Sequence, residues 1–234
     1  MISPTSLDFW VAKELAGFLK HFPRFDEAVQ SGMRHNILGG FWYGAALFLT
    51  WCEAARTDNR EVRLRLLTIL VGSTLAAALT LPAGWLVSWP PPIRHPELQQ
   101  LFPGYIDPNP NHNCFPSQSV ALYASIAVGM FSLNRLVGGV LGVATIVLVA
   151  LPRMYVGGHY LTDVGAGVII ALTGYAVARR FLEPTLASTV EPIFKRAGLA
   201  VVIAEFVVFV WILQVTVEFS EVLWVKMALE ILLR

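Results

Sequence analysis

Charge is what this sequence has least of. Of its 234 residues only 14% are Asp, Glu, Lys or Arg, while 56% are hydrophobic. A soluble domain usually carries about a quarter charged residues, so lipid is the expected solvent for much of this surface. The net charge is only +1, which gives no argument for a nucleic-acid partner. Cysteine is scarce as well. Cys52 and Cys114 make neither a disulfide framework nor a metal-ligand pattern. Cys52 ends an apolar run and Cys114 lies in a polar loop, so the two are not expected to pair. Asp8, Lys13 and Glu14 interrupt the first apolar stretch and no small-residue cleavage site follows, so no cleavable leader is expected. Internal repeats and low-complexity segments are absent.

Apolar runs are plentiful. A bilayer core of ~30 Å needs ~20 apolar residues in helical form. Six stretches qualify or nearly so: Ile37–Cys52, Leu66–Trp89, Ser117–Leu133, Leu136–Leu151, Tyr160–Ala178 and Leu199–Thr216. The expected fold is therefore all-α, an integral membrane bundle of six transmembrane helices. Ahead of it, Leu7, Trp10, Val11, Leu15, Phe18 and Leu19 recur at helical spacing, with Asp8, Lys13, Glu14 and Lys20 on other faces. That pattern reads as an amphipathic helix in the interface or one packed on the bundle end. The expected organisation is an interfacial segment over 1–36, a six-span membrane domain over 37–218 and a short helix over 219–234.

Nine of the 17 Lys and Arg residues fall in the loops after spans one, three and five. The loops after spans two and four hold only Arg94 and Arg153. The cation-rich side is the expected cytoplasmic one. The two cation-poor loops are then exterior, and they hold the chemistry. The first, Pro90–Pro116, contains Arg94, His95, Glu97, Asp107 and His112; the second runs from Pro152 to Gly158. Polar non-helical backbone at membrane depth persists only where it lines a watery cavity or a protein surface.

The central pattern is Arg153-Met-Tyr-Val-Gly-Gly-His159-Tyr-Leu-Thr-Asp163. His159 and Asp163 are four apart and would share one face of the helix opening span five. Asp163 can accept from Nδ1–H, fixing the tautomer and leaving Nε2 as nucleophile or base. The helix start favours an anion, Gly157 and Gly158 permit a close turn, and Arg153 can hold phosphate oxygens bidentately. Together these suit attack on phosphorus. Phe115-Pro116-Ser117-Gln118-Ser119 opens span three with a helix-start signal and two hydroxyls. Pro90-Pro-Pro-Ile-Arg94-His95-Pro96 supplies a second candidate cation. Glu205 stands inside span six among Val and Ile, a costly position that calls for a partner.

At these residues the chain resembles the type 2 phosphatidic acid phosphatase superfamily of membrane lipid phosphatases. Its motifs are Lys-x6-Arg-Pro, Pro-Ser-x-His and Ser-Arg-x5-His-x3-Asp. The third matches as Pro152-Arg153-x5-His159-x3-Asp163, with Pro152 in the Ser position. The first survives as Arg94, with Val87 where the Lys would stand, and the second as Pro116-Ser117-Gln118-Ser119, with Ser119 in the His position. The likeness covers about Leu66–Ala178. It implies a metal-independent mechanism without a cofactor: His159 attacks phosphorus and becomes a phosphohistidine, Asp163 orients it, and Arg153, Arg94, Ser117 and Gly158 hold the phosphoryl group.

The family's second-motif His protonates the leaving oxygen and later activates water. Ser119 is a poor acid near pH 7, and general acid–base catalysis is typically worth about 10²–10⁴-fold. His112, and after it His95, are the candidates to substitute. Alternatively the leaving group needs little protonation, as with a polyprenyl diphosphate, or the protein transfers phosphate to another acceptor. The expected function is thus phosphatase or phosphotransferase action on a membrane lipid phosphate, preferentially a polyprenyl phosphate or diphosphate. The alternative is a catalytically divergent protein that binds or transports lipid phosphate on the same scaffold. A bacterial inner membrane, with the site facing the periplasm or exterior, is the expected location.

Overall fold

The computed structural model describes residues 4–19, 21–35, 37–87, 89–102, 113–194 and 199–218, apart from the side chains of 33–39. Its helices are α1 (Ser6–Phe18), α2 (Pro23–His35), α3 (Ile37–Arg56), α4 (Arg60–Leu86), α5 (Gln118–Leu133), α6 (Arg135–Ala144), α7 (Leu151–Tyr155), α8 (Leu161–Val177), α9 (Glu183–Phe194) and α10 (Leu199–Thr216). Two single-turn 3₁₀ helices, Pro92–Arg94 and Gln99–Leu101, lie in the long loop after α4. No strand occurs among the described residues.

Among the described residues four continuous helices are long and apolar enough to cross a membrane: Arg60–Leu86, Arg135–Tyr155, Leu161–Phe194 and Leu199–Thr216. The first three differ from the expected spans chiefly at their ends. The helix expected to stop at Leu151 continues to Tyr155, and the one expected to stop at Ala178 continues to Phe194. Both extensions pass a proline by the same device. Proline has no N–H and its ring presses on the carbonyl four residues back. Ahead of Pro152 the helix widens into a π turn over Thr145–Ala150, where Leu151 N–H reaches the Ile146 carbonyl. Ahead of Pro184 it widens over Ala178–Leu182, where Glu183 N–H reaches the Ala178 carbonyl. Each wide turn makes room for the ring.

The heart of the bundle is α4, α5 and α8, packed backbone to backbone by small residues. A Cβ on Gly174 would stand 2.8 Å from the Ala76 Cβ and 2.9 Å from the Gly72 carbonyl. One on Gly167 would stand 2.8 Å from the Ser117 carbonyl. Such approach is how membrane helices gain contact when lipid is as apolar as they are. Helix α5 is the most enclosed, with Val120, Leu122, Tyr123, Ile126 and Met130 all almost wholly buried. At 16 residues it is also short, ~24 Å at 1.5 Å per residue, and its first residues, Gln118 and Ser119, line a recess.

Glu205 has partners. It accepts from Trp51 Nε1 and forms an ion pair with Arg63. The Arg63 guanidinium is itself buried, 3.8 Å over the Phe194 ring. This cluster joins α3, α4, α9 and α10 at the end of the bundle bearing Arg56 and Arg60, so Glu205 is structural.

Helix α1 packs on the opposite end. Ala12 and Ala16 bury against Trp89, Leu98, Phe102, Cys114 and Tyr160, while Leu7, Trp10 and Phe18 stay exposed. Its Asp8 does not lie on a solvated face: it is 1% exposed. It accepts from Thr5 N, and from Thr162 N at 2.9 Å and Thr162 Oγ1 at 3.0 Å. The carboxylate thereby satisfies orphan donors at the N-termini of two helices, α1 and α8.

Candidate active site

The turn between α7 and α8 fixes the site. Helix α7 ends at Tyr155, and Gly157 takes φ +74°, a left-handed conformation in which a Cβ is strained. Gly158 N donates to the Arg153 carbonyl at 2.9 Å and Gly157 N to the Met154 carbonyl at 3.0 Å. This pair of bonds is a Schellman cap, with Gly157 at the residue just past the helix end. Arg153 therefore lies on the last turn of a helix and not in a loop, and His159 follows two residues after the cap glycine. The five-residue spacing between them is the length of this cap.

His159 precedes the helix. Helix α8 starts at Leu161 with Tyr160 as N-cap, so His159 and Asp163 do not share a helix face as the spacing suggested. The imidazole is 7% exposed. Its Nδ1 lies 2.8 Å from the Cys114 carbonyl, against 3.6 Å from Asp163 Oδ2. A carbonyl only accepts, so the proton sits on Nδ1 and the neutral ring carries its lone pair on Nε2. The tautomer inferred from sequence stands, but its main-chain partner is Cys114.

Asp163 is wholly buried behind the histidine. It accepts from Tyr160 N at 2.7 Å and Trp89 Nε1 at 3.1 Å. It is the third residue of α8 and satisfies the N-cap N–H. Its Oδ2 lies 3.6 Å from His159 Nδ1, behind the ring. Burial, chiefly, pushes the Cys114 thiol well above its ordinary range, with Asp163 adding to the effect. Burial likewise raises the Tyr160 phenol, so both groups stay neutral.

Arg153 and His159 open into one cavity of about 700 Å³. Its wall comes from Thr80, Leu81, Gly84 and Trp85 of α4, from Asn113, Phe115, Pro116, Gln118 and Ser119, and from Glu218 just past α10. Leu81 and Trp85 are 58% and 83% exposed, so the polar recess has an apolar flank. Asn113 closes the end of α4 by donating to the Gly84 and Val87 carbonyls and accepting from Phe115 N. Glu218 bridges two residues of the motifs: Arg153 Nη2 donates to Oε1 at 3.0 Å and Ser119 Oγ to Oε2 at 2.7 Å.

Of the residues singled out by sequence, Arg153, His159 and Ser119 meet in this cavity, with Asp163 directly behind. Ser117 is fully buried at the N-cap of α5, its Oγ lacking a hydrogen-bond partner among the described residues. It does not line the cavity, and neither does Gly158, which serves the cap. Arg94 ends the 3₁₀ turn Pro92–Arg94 outside the cavity wall. His95 packs edge-on against Phe9, ring centres 4.8 Å apart. His112 and the helix expected over 219–234 lie outside the described residues. Sequence spacing offered no sign of the Cys114 carbonyl, Trp89 or Glu218: they lie 45, 74 and 65 residues from the groups they bind. Among the described residues no trio of His, Cys, Asp or Glu is grouped to hold a metal ion.

No curated protein and no solved structure matches the chain. The family model of the PAP2 superfamily matches residues 64–185, from near the start of α4 to the start of α9. That stretch holds α4 from its fifth residue on, α5, α8, the Schellman turn and every motif residue. It is more than half of the chain, and by it the protein belongs to the PAP2 superfamily, a helical membrane fold whose members are phosphatases.

Proposed function

We propose that this protein removes or transfers phosphate from a membrane lipid phosphate through a phosphohistidine at His159. The observation that carries the reading is the shared cavity: Arg153 and His159 line one recess whose flank is the exposed apolar pair Leu81 and Trp85. A charged headgroup fits the first pair while its lipid tail leaves along the second. His159 Nε2 attacks phosphorus, Arg153 holds phosphoryl oxygens with its planar fork, and Asp163 and the Cys114 carbonyl keep the ring in place. None of these roles needs a metal or cofactor. A polyprenyl diphosphate is the favoured substrate class, because a phosphate leaves more easily than an alkoxide. The six helices α3, α4, α5, α6–α7, α8 and α10 are read as spans, with the site at the exterior or periplasmic face of a bacterial inner membrane. The cation pattern supports that orientation.

The test uses purified full-length protein in detergent with a panel of lipid phosphates. Phosphate release without added metal, abolished by His159→Ala, is the expected result. No release across the panel, together with Arg153-dependent retention of labelled lipid phosphate, would establish the binding alternative in its place.

A further inference from the structure

Glu218 lies beyond the stretch shared with the family, which ends at residue 185. Even so, it is the only carboxylate among the described residues of the cavity wall. Its two oxygens are tied separately, one to Arg153 Nη2 and the other to Ser119 Oγ, so its orientation is set from both sides. Glu218 takes φ +54° as the residue that closes α10, its N–H donating to the Val215 carbonyl at 3.2 Å, so a helix-end cap fixes where its side chain starts.

Resting on the phosphohistidine reading above, we propose that Glu218 is the general base of the second half-reaction, the one that frees the phosphorylated His159. The two carboxylate oxygens offer four acceptor directions; among the described residues Arg153, Ser119 and the nearby Tyr123 phenol are the partners, which leaves a direction for a water. Among the described residues Arg153 spends only Nη2 on Glu218, so its planar fork keeps N–H donors for phosphoryl oxygens. In the first half-reaction the Nε2 lone pair forms a bond to the terminal phosphorus. The bond from phosphorus to the bridging oxygen breaks, and lipid monophosphate leaves with that electron pair. In the second, water oxygen bonds to phosphorus and the phosphorus–nitrogen bond breaks, its pair returning to Nε2. One water proton passes to Glu218 and then to bulk solvent. The sum is lipid diphosphate and water giving lipid monophosphate, phosphate and a proton. Ser119, unsuited to accept that proton itself, holds the group that does.

The experiment uses full-length protein in detergent and a polyprenyl diphosphate labelled in its terminal phosphate, quenched in alkali, where phosphohistidine survives. Glu218→Gln keeps the size and one acceptor oxygen but cannot take the proton. The expected result is steady-state release slowed by about 10²–10⁴-fold, with label still entering the protein at close to the wild-type rate and accumulating on His159. Glu218→Ala should show the same block, relieved by added formate. Three outcomes overturn the proposal. Unchanged release in Glu218→Gln means no proton is taken there. Loss of label formation in step with release, in a variant that stays folded, means Glu218 only braces Arg153. Faster release means the carboxylate obstructs the phosphate site. A wild-type protein that neither releases phosphate nor takes label removes the phosphohistidine reading itself, and this proposal with it.

Discussion

Gly157→Ala separates two costs that the structure stacks on one atom. The left-handed φ of +74° costs an alanine roughly 1–2 kcal/mol. A Cβ there would also stand 2.9 Å from Phe102 Cδ1 and 3.0 Å from Cε1 and Cγ. Phe102 is 3% exposed and packed among Trp89, Leu98 and Tyr160. Overpacking of this kind typically costs about 1–3 kcal/mol, so a total near 3 kcal/mol is expected. At roughly 2–4 °C per kcal/mol for a chain of this size, the unfolding temperature in detergent should fall by about 6–12 °C. Because the cap spans Arg153 to His159, phosphate release should fall as well, mainly in kcat, since misplacement by about 1 Å can cost about 100-fold. Placing the same substitution in a Phe102→Leu background removes most of the overlap but not the φ strain, so its incremental cost should drop to about 1–2 kcal/mol. A stability loss that is the same in both backgrounds would refute the steric half of the reasoning. A loss indistinguishable from zero in the wild-type background would refute the cap.

Three other expectations follow from the geometry. Asp8→Ala strips the shared acceptor from the starts of α1 and α8 and should destabilise by about 1–3 kcal/mol; protease sensitivity in the first 20 residues should rise, and unchanged resistance would contradict the docking of α1. Glu205→Gln leaves the buried Arg63 unpaired and should cost about 3–5 kcal/mol, while the paired change Arg63→Met with Glu205→Leu should recover most of the unfolding temperature; a double variant worse than the single would show that the ion pair is stabilising in its own right. Burial raises the Cys114 thiol and so keeps it protonated through alkaline pH; in a Cys52→Ser protein, maleimide at pH 8 should label Cys114 only after denaturation, and stoichiometric labelling of the native protein would be inconsistent with its burial.

Apolar run length was enough to find α3, α4, α5, α6, α8 and α10, because lipid leaves the backbone few alternatives to helix, whereas α2 and α9 carry no such run. It was not enough to end them: the π turns that carry helices past Pro152 and Pro184 depend on neighbouring turns, not on the prolines, which in isolation read as stops. At the site, the Arg153–His159 spacing was legible since a helix cap is a local object. The hydrogen-bond partner of His159 was not, because a backbone carbonyl at Cys114 carries no side-chain signature and reaches the ring only through the packing of α5 on α8. Asp163 illustrates the same limit. Its four-residue separation from His159 suggested a helix-face contact, whereas the carboxylate spends its hydrogen bonds on Tyr160 N and Trp89 Nε1. Glu218 was invisible for a plainer reason: it adjoins the last span, far along the chain from the two side chains it joins.

The cap at Gly157 has one more consequence. Arg153 and His159 hang from a single bend of main chain, so their separation behaves as a ruler cut into the backbone, held by the cap and not by the surrounding helices. Movement of α4 or α10, whether driven by bilayer thickness or by drift in sequence, widens or narrows the doorway without stretching the ruler. On the function proposed above, such a protein can change which lipid it admits and still perform the same chemical step on whatever enters.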